Sequence, residues 1–337
     1  MKSVLVTGSA GFIGFHLCKK LINLGYQVIG LDNINEYYDI NLKYARLSKL
    51  GILEEKASIK NKLFVSDNHG DKFKFINMNL EDRNELPVLF KKFNFDLICN
   101  LAAQAGVRYS IENPDVYVDT NIVGFLNILE CCRKYNVKKL VYASSSSVYG
   151  ITDEIPFIEE NNTDNPISLY AATKKSNELM AFTYSHLYNI QTLGLRFFTV
   201  YGPWGRPDMA PMLFADSILN NKNINVFNEG NLSRDFTYID DIIEGTTNLL
   251  INKIDKQNDI FNIGCSQPVK LLDFIRCLEE ELEINAKKIM RPMQKGDVYK
   301  TWASIKKLKK YTGYNPKINI KSGVKKFVKW YKEYYEL

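Results

Sequence analysis

The feature that most constrains the fold is the N-terminal run KSVLVTGSAGFIG, in which a short apolar segment leads directly into a glycine-rich turn. Gly8, Gly11 and Gly14 have the spacing G-x-x-G-x-x-G, and the residues after them have the pattern of a helix. In such a strand–turn–helix unit the glycines allow a tight turn, a close approach of the backbone to a pyrophosphate, and close packing of the helix on the strand. The unit predicts a dinucleotide site, with Phe12 and Ile13 at the helix start as further contacts.

An acidic residue ends the second predicted strand, YQVIGLDN. Asp32 lies eighteen residues after Gly14. A carboxylate at this place accepts hydrogen bonds from the adenosine ribose hydroxyls and repels a 2′-phosphate. The next residue is Asn33 and not an arginine, so the pattern favours NAD over NADP as the cofactor.

Apolar, strand-like runs alternate with helix-like segments up to Arg196. This alternation is typical of an α/β protein with a Rossmann-type doubly wound parallel sheet. Segment 51–72 interrupts the alternation and is predicted to be an inserted loop or a short helix pair. The Pro- and Gly-rich run VYGPWGRPDMAP then begins a smaller α/β substrate-binding lobe. The NAD-binding domain is predicted to cover residues 1–200 and about 236–265, and the lobe about 201–235 and 266–337.

Composition narrows the class of protein further. Of the 337 residues, 45% are hydrophobic and 24% are charged, which is typical of a globular chain. No apolar run reaches the roughly 18 residues of a membrane span, and the start lacks the features of a signal peptide, so we expect a cytoplasmic protein. The cysteine and histidine spacings predict no metal site. The net charge of +6 comes without a basic–aromatic pattern, so we expect no nucleic-acid partner.

Two polar segments predict the reactive groups. Tyr170 and Lys174 in YAATK are four residues apart and therefore lie on one face of a helix. A cation close to a phenol stabilises the phenolate and lowers its pKa, which suits an acid–base catalyst. The run KKLVYASSSSVYG places consecutive serines, Ser144 to Ser147, at the carboxyl end of a predicted strand. That edge of an open α/β sheet is where ligands bind.

The ordered set TGSAGFIG, Asp32, NLAA, the serine cluster and YAATK resembles extended short-chain dehydrogenase/reductase enzymes that act on nucleotide sugars. The resemblance covers nearly the whole chain. Three further stretches look like the UDP-glucuronate 4-epimerase branch of that family: DNINEYYDINLKYARL, AAQAGVRYSIENP and RFFTVYGPWGRPDMA. The resemblance implies reversible C4 epimerisation of a UDP-sugar, most closely UDP-glucuronate to UDP-galacturonate. The reaction would pass through a transient 4-keto sugar while NAD is reduced and reoxidised in place.

The resemblance also implies roles for individual residues. Tyr170 would be the base, Ser145 would hydrogen-bond the sugar O4, and Lys174 would hold the nicotinamide ribose and lower the pKa of Tyr170. The other implied substrate contacts are Arg108, Ser146, Ser147, Thr199 and Arg206 near the sugar, and Arg234 and Arg291 near the diphosphate. The other implied NAD contacts are Asn33, Asn79, Leu80, Leu101, Ala102, Ala103, Gln104, Asn121, Phe197 and Val200.

Three positions depart from the family pattern. Asn79 stands where an Asp usually meets the adenine amine, and an amide oxygen can still accept that bond. Asn100 replaces the frequent His before LAA, with little expected consequence. Gln294 stands where some relatives have a phosphate-binding Arg, which leaves open whether Arg291 or a neighbouring lysine completes the diphosphate site.

The serine cluster helps to choose among the reactions of the family. Dehydratase relatives carry an Asp-Glu pair after the catalytic hydroxyl, and decarboxylase relatives carry a Glu, whereas Ser146 and Ser147 have no useful acidity. Epimerisation is therefore favoured. The alternatives are a neutral or N-acetylated UDP-hexose as substrate, a decarboxylase or dehydratase, and a non-catalytic NAD sensor. The helices around 121–135 and 170–188 resemble those through which relatives form a homodimer as a four-helix bundle, and the family implies a role in polysaccharide biosynthesis.

Overall fold

A computed structural model describes residues 1–152, 154–293 and 299–337. Its strands, numbered along the chain, are β1 (Ser3–Thr7), β2 (Gln27–Asp32), β3 (Leu63–Ser66), β4 (Gly70–Asn77), β5 (Leu97–Asn100), β6 (Lys139–Ser145), β7 (Gln191–Phe197), β8 (Thr199–Tyr201), β9 (Asn223–Phe227), β10 (Ser233–Tyr238), β11 (Asn258–Ile263), β12 (Pro268–Lys270), β13 (Lys287–Arg291) and β14 (Lys300–Thr301).

The helices between these strands are mostly amphipathic and cover the sheet. They are α1 (Phe12–Asn23), α2 (Ile40–Lys49), α3 (Glu54–Ala57), α4 (Glu85–Phe93), α5 (Tyr109–Glu112), α6 (Asp115–Tyr117), α7 (Phe125–Lys134), α8 (Leu169–Tyr188), α9 (Ala210–Leu219), α10 (Ile239–Ile251), α11 (Leu271–Leu282), α12 (Lys306–Thr312) and α13 (Ile320–Tyr334). A π-helical segment, Val118–Gly124, leads into α7. Within the described residues, no helix has the length and apolarity needed to cross a bilayer.

Eight strands of the described chain form one sheet, in the order β11-β7-β6-β5-β1-β2-β4-β3. Neighbouring strands pair in parallel except β3 and β4, which pair antiparallel. The chain builds one side of the sheet outward from β1 through β2 and then crosses to β5 on the other side of β1, so the order reverses between β1 and β5. A crevice at the carboxyl ends of the strands is expected at such a reversal. The predicted α/β class and doubly wound parallel sheet are confirmed.

Strand β1 is buried on both faces, which explains its uninterrupted apolar sequence. Val4 and Val6 lie in a buried cluster with residues of α1 and α10. Leu5 points to the opposite face and lies in a second cluster with residues of α4, α7 and α8. The Gly-rich turn at the end of β1 is therefore anchored by packing on both sides of the sheet.

The later part of the chain forms smaller sheets beside the crevice. Strands β12, β10 and β14 pair in that order, and β8 also pairs with β10. Strands β9 and β13 form a separate parallel pair. Because β10 spans Ser233–Tyr238, it crosses the predicted boundary between residues 235 and 236. The division of the chain into two domains stays a prediction.

The prediction for segment 51–72 was partly wrong. The segment contains α3, but residues 63–66 form β3, which pairs antiparallel with β4 at the edge of the large sheet. The run LFVS is four residues long, and its register shifts between Val65 and Ser66. So short and irregular a strand has too little periodicity to be recognised without its partner.

Candidate active site

The glycine-rich turn forms a close-fitting cradle between β1 and α1. Gly8 has a φ of +72°, a left-handed conformation that favours glycine. A Cβ on Gly14 would lie 2.0 Å from the Gly8 carbonyl oxygen, so only glycine lets α1 approach the turn this closely. Helix α1 begins after Gly11 with no side chain capping it. Its N-terminal N–H groups can therefore face an anionic ligand such as a pyrophosphate.

The Asp32 carboxylate is held by backbone groups at the end of β2. Its Oδ2 accepts from the Ala10 N–H at 3.1 Å, and its Oδ1 accepts from the Ile34 N–H at 2.9 Å. Each carboxylate oxygen can accept more than one hydrogen bond, so both retain capacity for ribose hydroxyls. Together with the glycine cradle, this geometry fits the NAD that the sequence predicts.

A cavity of about 430 Å³ extends from this cradle to the serine cluster and Tyr170. Its walls come from the ends of strands on both sides of the reversal between β1 and β5. It brings together most of the predicted residues: Gly8, Gly11, Phe12, Ile13, Gly14, Asp32, Asn33, Leu80, Leu101, Ala102, Ala103, Gln104, Ser145, Ser146, Ser147, Tyr170, Lys174, Phe197, Thr199, Val200, Arg206 and Arg234.

Four predicted residues do not line this cavity. Asn79 lines a neighbouring crevice that also contains Asn33 and Gln104. Asn121 is buried behind the cavity wall, where its Nδ2 donates to the Gln104 carbonyl at 3.0 Å and to Thr173 Oγ1 at 3.1 Å. The other two are Arg108, whose guanidinium lies 5.5 Å from the centre of the Phe227 ring, and Arg291, whose Nε donates to Asn225 at 3.0 Å.

The diphosphate end of the predicted site is only partly described. The Nη1 of Arg234 donates to the Ser233 carbonyl at 3.0 Å and to the Tyr299 carbonyl at 3.3 Å. Arg234 also lines the cavity. Gln294 lies outside the described residues. The roles assigned to Arg108, Arg234 and Arg291 stay predictions.

Tyr170 and Lys174 lie in the first turns of α8, as their spacing predicts. Ser168 caps this helix by accepting from the Ala171 N–H at 3.1 Å. The Lys174 ammonium lies 5.8 Å from the centre of the Tyr170 ring and donates to the Ala143 carbonyl of β6 at 2.9 Å. Burial lowers the pKa of Lys174 to about 8. The helix and the neighbouring strand thus hold a phenol and an amine beside the cavity.

The serine cluster places one hydroxyl next to that phenol. Ser145 Oγ accepts from the Ser147 N–H at 3.2 Å and from Ser147 Oγ at 2.9 Å. Burial raises the pKa of Tyr170, whereas its hydrogen bond with Ser145 and the charge of Arg206 act in the opposite direction. Ser144 points away and donates to the buried Glu178 at 2.6 Å, so it has a structural role.

A cationic group, Arg206, lines the cavity on the side predicted to hold the sugar. Arg206 donates to Asp208 through Nε at 3.0 Å and through Nη2 at 2.5 Å. The Tyr37 hydroxyl donates to the same carboxylate at 3.0 Å, and the Arg206 guanidinium lies 5.8 Å from the centre of its ring. Burial, aided by the Asp208 charge, raises the pKa of Tyr37 to about 12, so the phenol keeps its proton.

Four residues in or next to the cavity were not predicted from the sequence: Tyr37, Lys43, Arg46 and Asp208. Lys43 lines the cavity, and its ammonium donates to the carbonyl and side-chain oxygens of Asn35 at 2.6 and 2.7 Å. The sequence did contain one indication that Lys43 and Arg46 have polar partners inside the fold. They share the buried face of α2 with apolar residues, and a cation on the buried face of an amphipathic helix requires a polar partner inside the fold.

Comparisons with known proteins agree with this geometry. The family model described as NAD dependent epimerase/dehydratase family matches residues 4–264. Protein CapI of Staphylococcus aureus is 47% identical over 99% of both chains. A probable UDP-glucuronate 4-epimerase of Rhizobium meliloti is 43% identical over 98% of this chain and 97% of the relative. The crystal structure of a Bacillus cereus UDP-glucuronic acid 4-epimerase with UDP-glucuronic acid and NAD superimposes with a TM-score of 0.89, with 32% identity, over 99% of this chain and 100% of that chain. This chain therefore belongs to the NAD dependent epimerase/dehydratase family.

Proposed function

We propose that the protein interconverts UDP-glucuronate and UDP-galacturonate by reversible epimerisation at C4, with NAD as its resident cofactor. The observation that carries this proposal is a single cavity that contains a phenol, a lysine amine, a row of serine hydroxyls and an arginine. These groups match an oxidation at a hydroxyl-bearing carbon next to a carboxylate-bearing one. The relatives named as UDP-glucuronate 4-epimerases support the same substrate.

Tyr170 is the proposed acid–base group. Its phenolic oxygen would take the proton from the C4 hydroxyl as the 4-keto sugar forms, and would return it when the hydroxyl is restored on the other face. Bound NAD would supply the hydride acceptor and donor for C4. Ser145 would orient O4 through its hydroxyl, and Lys174 would favour the phenolate by its positive charge. One phenol therefore serves both half-reactions.

The sugar carboxylate is proposed to meet Arg206, Thr199, Ser146 and Ser147. Arg206 uses Nε and Nη2 on Asp208, which leaves its Nη1 edge available to a second carboxylate. Two of the described residues that line the cavity carry carboxylates. Asp32 is the last residue of β2, and Glu81 lies shortly after β4. Because the serine hydroxyls are poor acids and bases, a keto intermediate there has little assistance toward elimination or loss of CO2.

Incubation of the purified protein with UDP-glucuronate, without added reductant, tests this proposal. Product sugars are identified by chromatography and NMR. The same mixture of UDP-glucuronate and UDP-galacturonate should form from either pure compound, because epimerisation is reversible and leaves NAD as it began. Net accumulation of NADH, or CO2 as the main product, would contradict it.

A small panel separates the substrate alternatives. UDP-glucose and UDP-N-acetylglucosamine are assayed in parallel, and faster turnover of either would show that the preferred substrate is a neutral UDP-sugar.

The Tyr170→Phe variant tests the proposed base, because the substitution removes one oxygen and little volume. Loss of general acid–base catalysis typically costs 10²- to 10⁴-fold in rate. A Tyr170→Phe variant as active as the parent would exclude the proposed base.

We also propose that the protein is a homodimer, joined through a four-helix bundle to which each copy contributes the helices around 121–135 and 170–188. Leu179, Phe182 and Leu187 of α8 are 58%, 59% and 60% exposed, whereas Ala181 of the same helix is fully buried. Val118, in the adjacent π-helical segment, is also exposed. Apolar side chains grouped in this way are typical of a protein–protein interface. A second copy of the chain would cover them in a four-helix arrangement.

Sedimentation of the Phe182→Asp variant tests the dimer. The variant should sediment as a monomer, because a charge in the centre of an apolar interface loses its hydration. Leu213→Asp is the control, since Leu213 is 49% exposed on α9, away from these helices. A wild-type protein that sediments as a monomer would contradict the proposal.

A cytoplasmic location and a role in supplying sugar nucleotides for polysaccharide synthesis complete the proposal. Cell fractionation tests the location. Sugar analysis of surface polysaccharides from a strain that lacks the protein tests the role, and an unchanged galacturonate content would count against it.

A further inference from the structure

Arg46 is a fully buried cation that joins three separate segments of the chain. From its place in α2, Nη1 donates to the Ala10 carbonyl at 2.9 Å and to the Tyr38 hydroxyl at 2.8 Å. Its Nη2 donates to the carbonyls of Trp204 and Gly205 at 2.7 and 3.1 Å. All four terminal N–H groups are therefore used, and three of their acceptors are backbone carbonyls.

This arrangement is costly for a charged group. No carboxylate of the described chain forms an ion pair with Arg46, and its Nε is buried without a hydrogen-bond partner. A buried cation without a counter-ion lowers stability relative to an apolar side chain of similar size. Its presence is explained by what its hydrogen bonds hold in place and not by a net gain in stability.

The segments that Arg46 joins are the two ends of the active site. Ala10 belongs to the glycine-rich cradle, and its own N–H donates to Asp32 at 3.1 Å. Trp204 and Gly205 immediately precede Arg206, the proposed carboxylate contact. One planar guanidinium therefore fixes the separation of the dinucleotide cradle from the backbone that presents Arg206.

Two further contacts tie the same elements together. The His16 Nε2 in α1 donates to the Pro203 carbonyl at 3.0 Å. The Tyr37 hydroxyl, in the loop after β2, donates to Asp208 at 3.0 Å. The segment from Pro203 to Asp208 is thus held against the cofactor-binding elements at both of its ends, with Arg46 at its centre.

We infer that Arg46 is a positioning residue that couples dinucleotide binding to recognition of the sugar carboxylate. Ordering of the cradle by NAD orders the Ala10 carbonyl, and through Arg46 it orders the backbone before Arg206. Coupling of two binding sites is reciprocal, so a carboxylate on Arg206 tightens NAD to the same extent. This inference rests on the proposed function, because the coupling requires a substrate with a carboxylate.

The test is the ratio of NAD dissociation constants without and with saturating UDP-glucuronate, measured by titration calorimetry. The wild-type ratio should be five or more, in the usual range for coupled sites. In Arg46→Lys the ratio should fall toward one, because an ammonium keeps the charge but cannot satisfy four acceptors in two directions. The preference for UDP-glucuronate over UDP-glucose in kcat/KM should fall at least tenfold in the same variant.

Arg133→Lys is the matched control, because Arg133 is an exposed arginine paired with Glu130 and should leave both ratios unchanged. A lower melting temperature for Arg46→Lys with both ratios intact would mean a merely structural role and would overturn the inference. If Arg46→Lys does not fold, Tyr38→Phe removes one of its acceptors and should show a smaller fall in both ratios. Unchanged ratios in Tyr38→Phe would then overturn it.

Different results would contradict the proposed function and the inference about Arg46. A wild-type protein that does not epimerise UDP-glucuronate contradicts the proposed function. A wild-type protein that does so, with a coupling ratio near one, contradicts only the inference about Arg46.

Discussion

The Arg206 guanidinium is held along one edge by the Asp208 carboxylate, with Nε 3.0 Å from Oδ1 and Nη2 2.5 Å from Oδ2. Two hydrogen bonds on one edge fix the plane of the guanidinium. Both side chains are partly buried, at 23% and 25% exposure. Replacement of Arg206 by alanine would therefore leave the partly desolvated Asp208 carboxylate unpaired, next to the proposed position of the substrate carboxylate.

We expect Arg206→Ala to lower kcat/KM for UDP-glucuronate by 10²-fold or more, from the loss of charge-assisted hydrogen bonds worth about 1.5–3 kcal/mol and from repulsion by Asp208. UDP-glucose turnover should change only several-fold. The double variant Arg206→Ala/Asp208→Ala should recover part of the loss, because the unpaired charge is gone. Steady-state kinetics with both substrates measure these effects, and equal losses on both would contradict the carboxylate assignment.

Lys174→Met should change the pH dependence of turnover. Burial raises the pKa of Tyr170, and the ammonium of Lys174 lies 5.8 Å from the centre of its ring. Removal of that positive charge makes the phenolate less favourable, so the rising part of the kcat–pH profile should move to higher pH by about one unit or more. A profile with reduced amplitude but unchanged position would show that the lysine does not act on the pKa of Tyr170.

Gly14→Ala should weaken both the fold and NAD binding. The new Cβ would lie 2.0 Å from the Gly8 carbonyl oxygen, so α1 must move away from the turn. Such overpacking typically costs about 1–3 kcal/mol in the free energy of unfolding. Denaturant titration measures this cost, and calorimetry should show at least a tenfold loss in NAD affinity. Gly25→Asn is the control for NAD binding, because nothing lies within 4 Å of a Cβ there: its φ of +84° makes some loss of stability expected, but NAD affinity should not change.

The stability of the protein should fall between about pH 6.5 and pH 4 because of His16. Burial lowers the pKa of its imidazole from 6.5 to about 4. In this interval the unfolded chain binds a proton at His16 that the folded protein does not, so this contribution to stability is complete above pH 6.5 and is lost as the pH falls. We expect a loss on the order of 2 kcal/mol, which is less than the free energy that corresponds to the whole shift in pKa, because His16 is half-buried and solvent screens part of the effect.

Denaturant titrations at several pH values measure this loss. His16→Gln keeps a donor for the Pro203 carbonyl and does not titrate, so its stability should vary less over the same interval. An identical pH dependence in both proteins would assign the effect to other groups.

The parts of the site that depend on short spacing could be predicted from the sequence. The Gly8–Gly11–Gly14 turn, Asp32 at the end of a strand, and Tyr170 and Lys174 on one helix face follow from local conformational preferences and helix geometry. These elements form where predicted because residues a few positions apart are brought together by the backbone itself. The α/β class follows in the same way from the alternation of strands and helices.

Distant groups, by contrast, meet only through the packing of the folded chain. Tyr37 and Asp208 are 171 positions apart, and Arg46 and Trp204 are 158 apart, yet each pair shares a hydrogen bond. The antiparallel edge strand Leu63–Ser66 likewise exists only through its partner β4. Such contacts depend on how whole helices and strands pack. Packing brings together residues that are far apart along the chain, and nothing in the local sequence indicates that they will be close in space. The hydrogen bonds that hold Arg206, and those by which Arg46 connects the backbone before it to the glycine-rich turn, therefore became visible only in the folded chain.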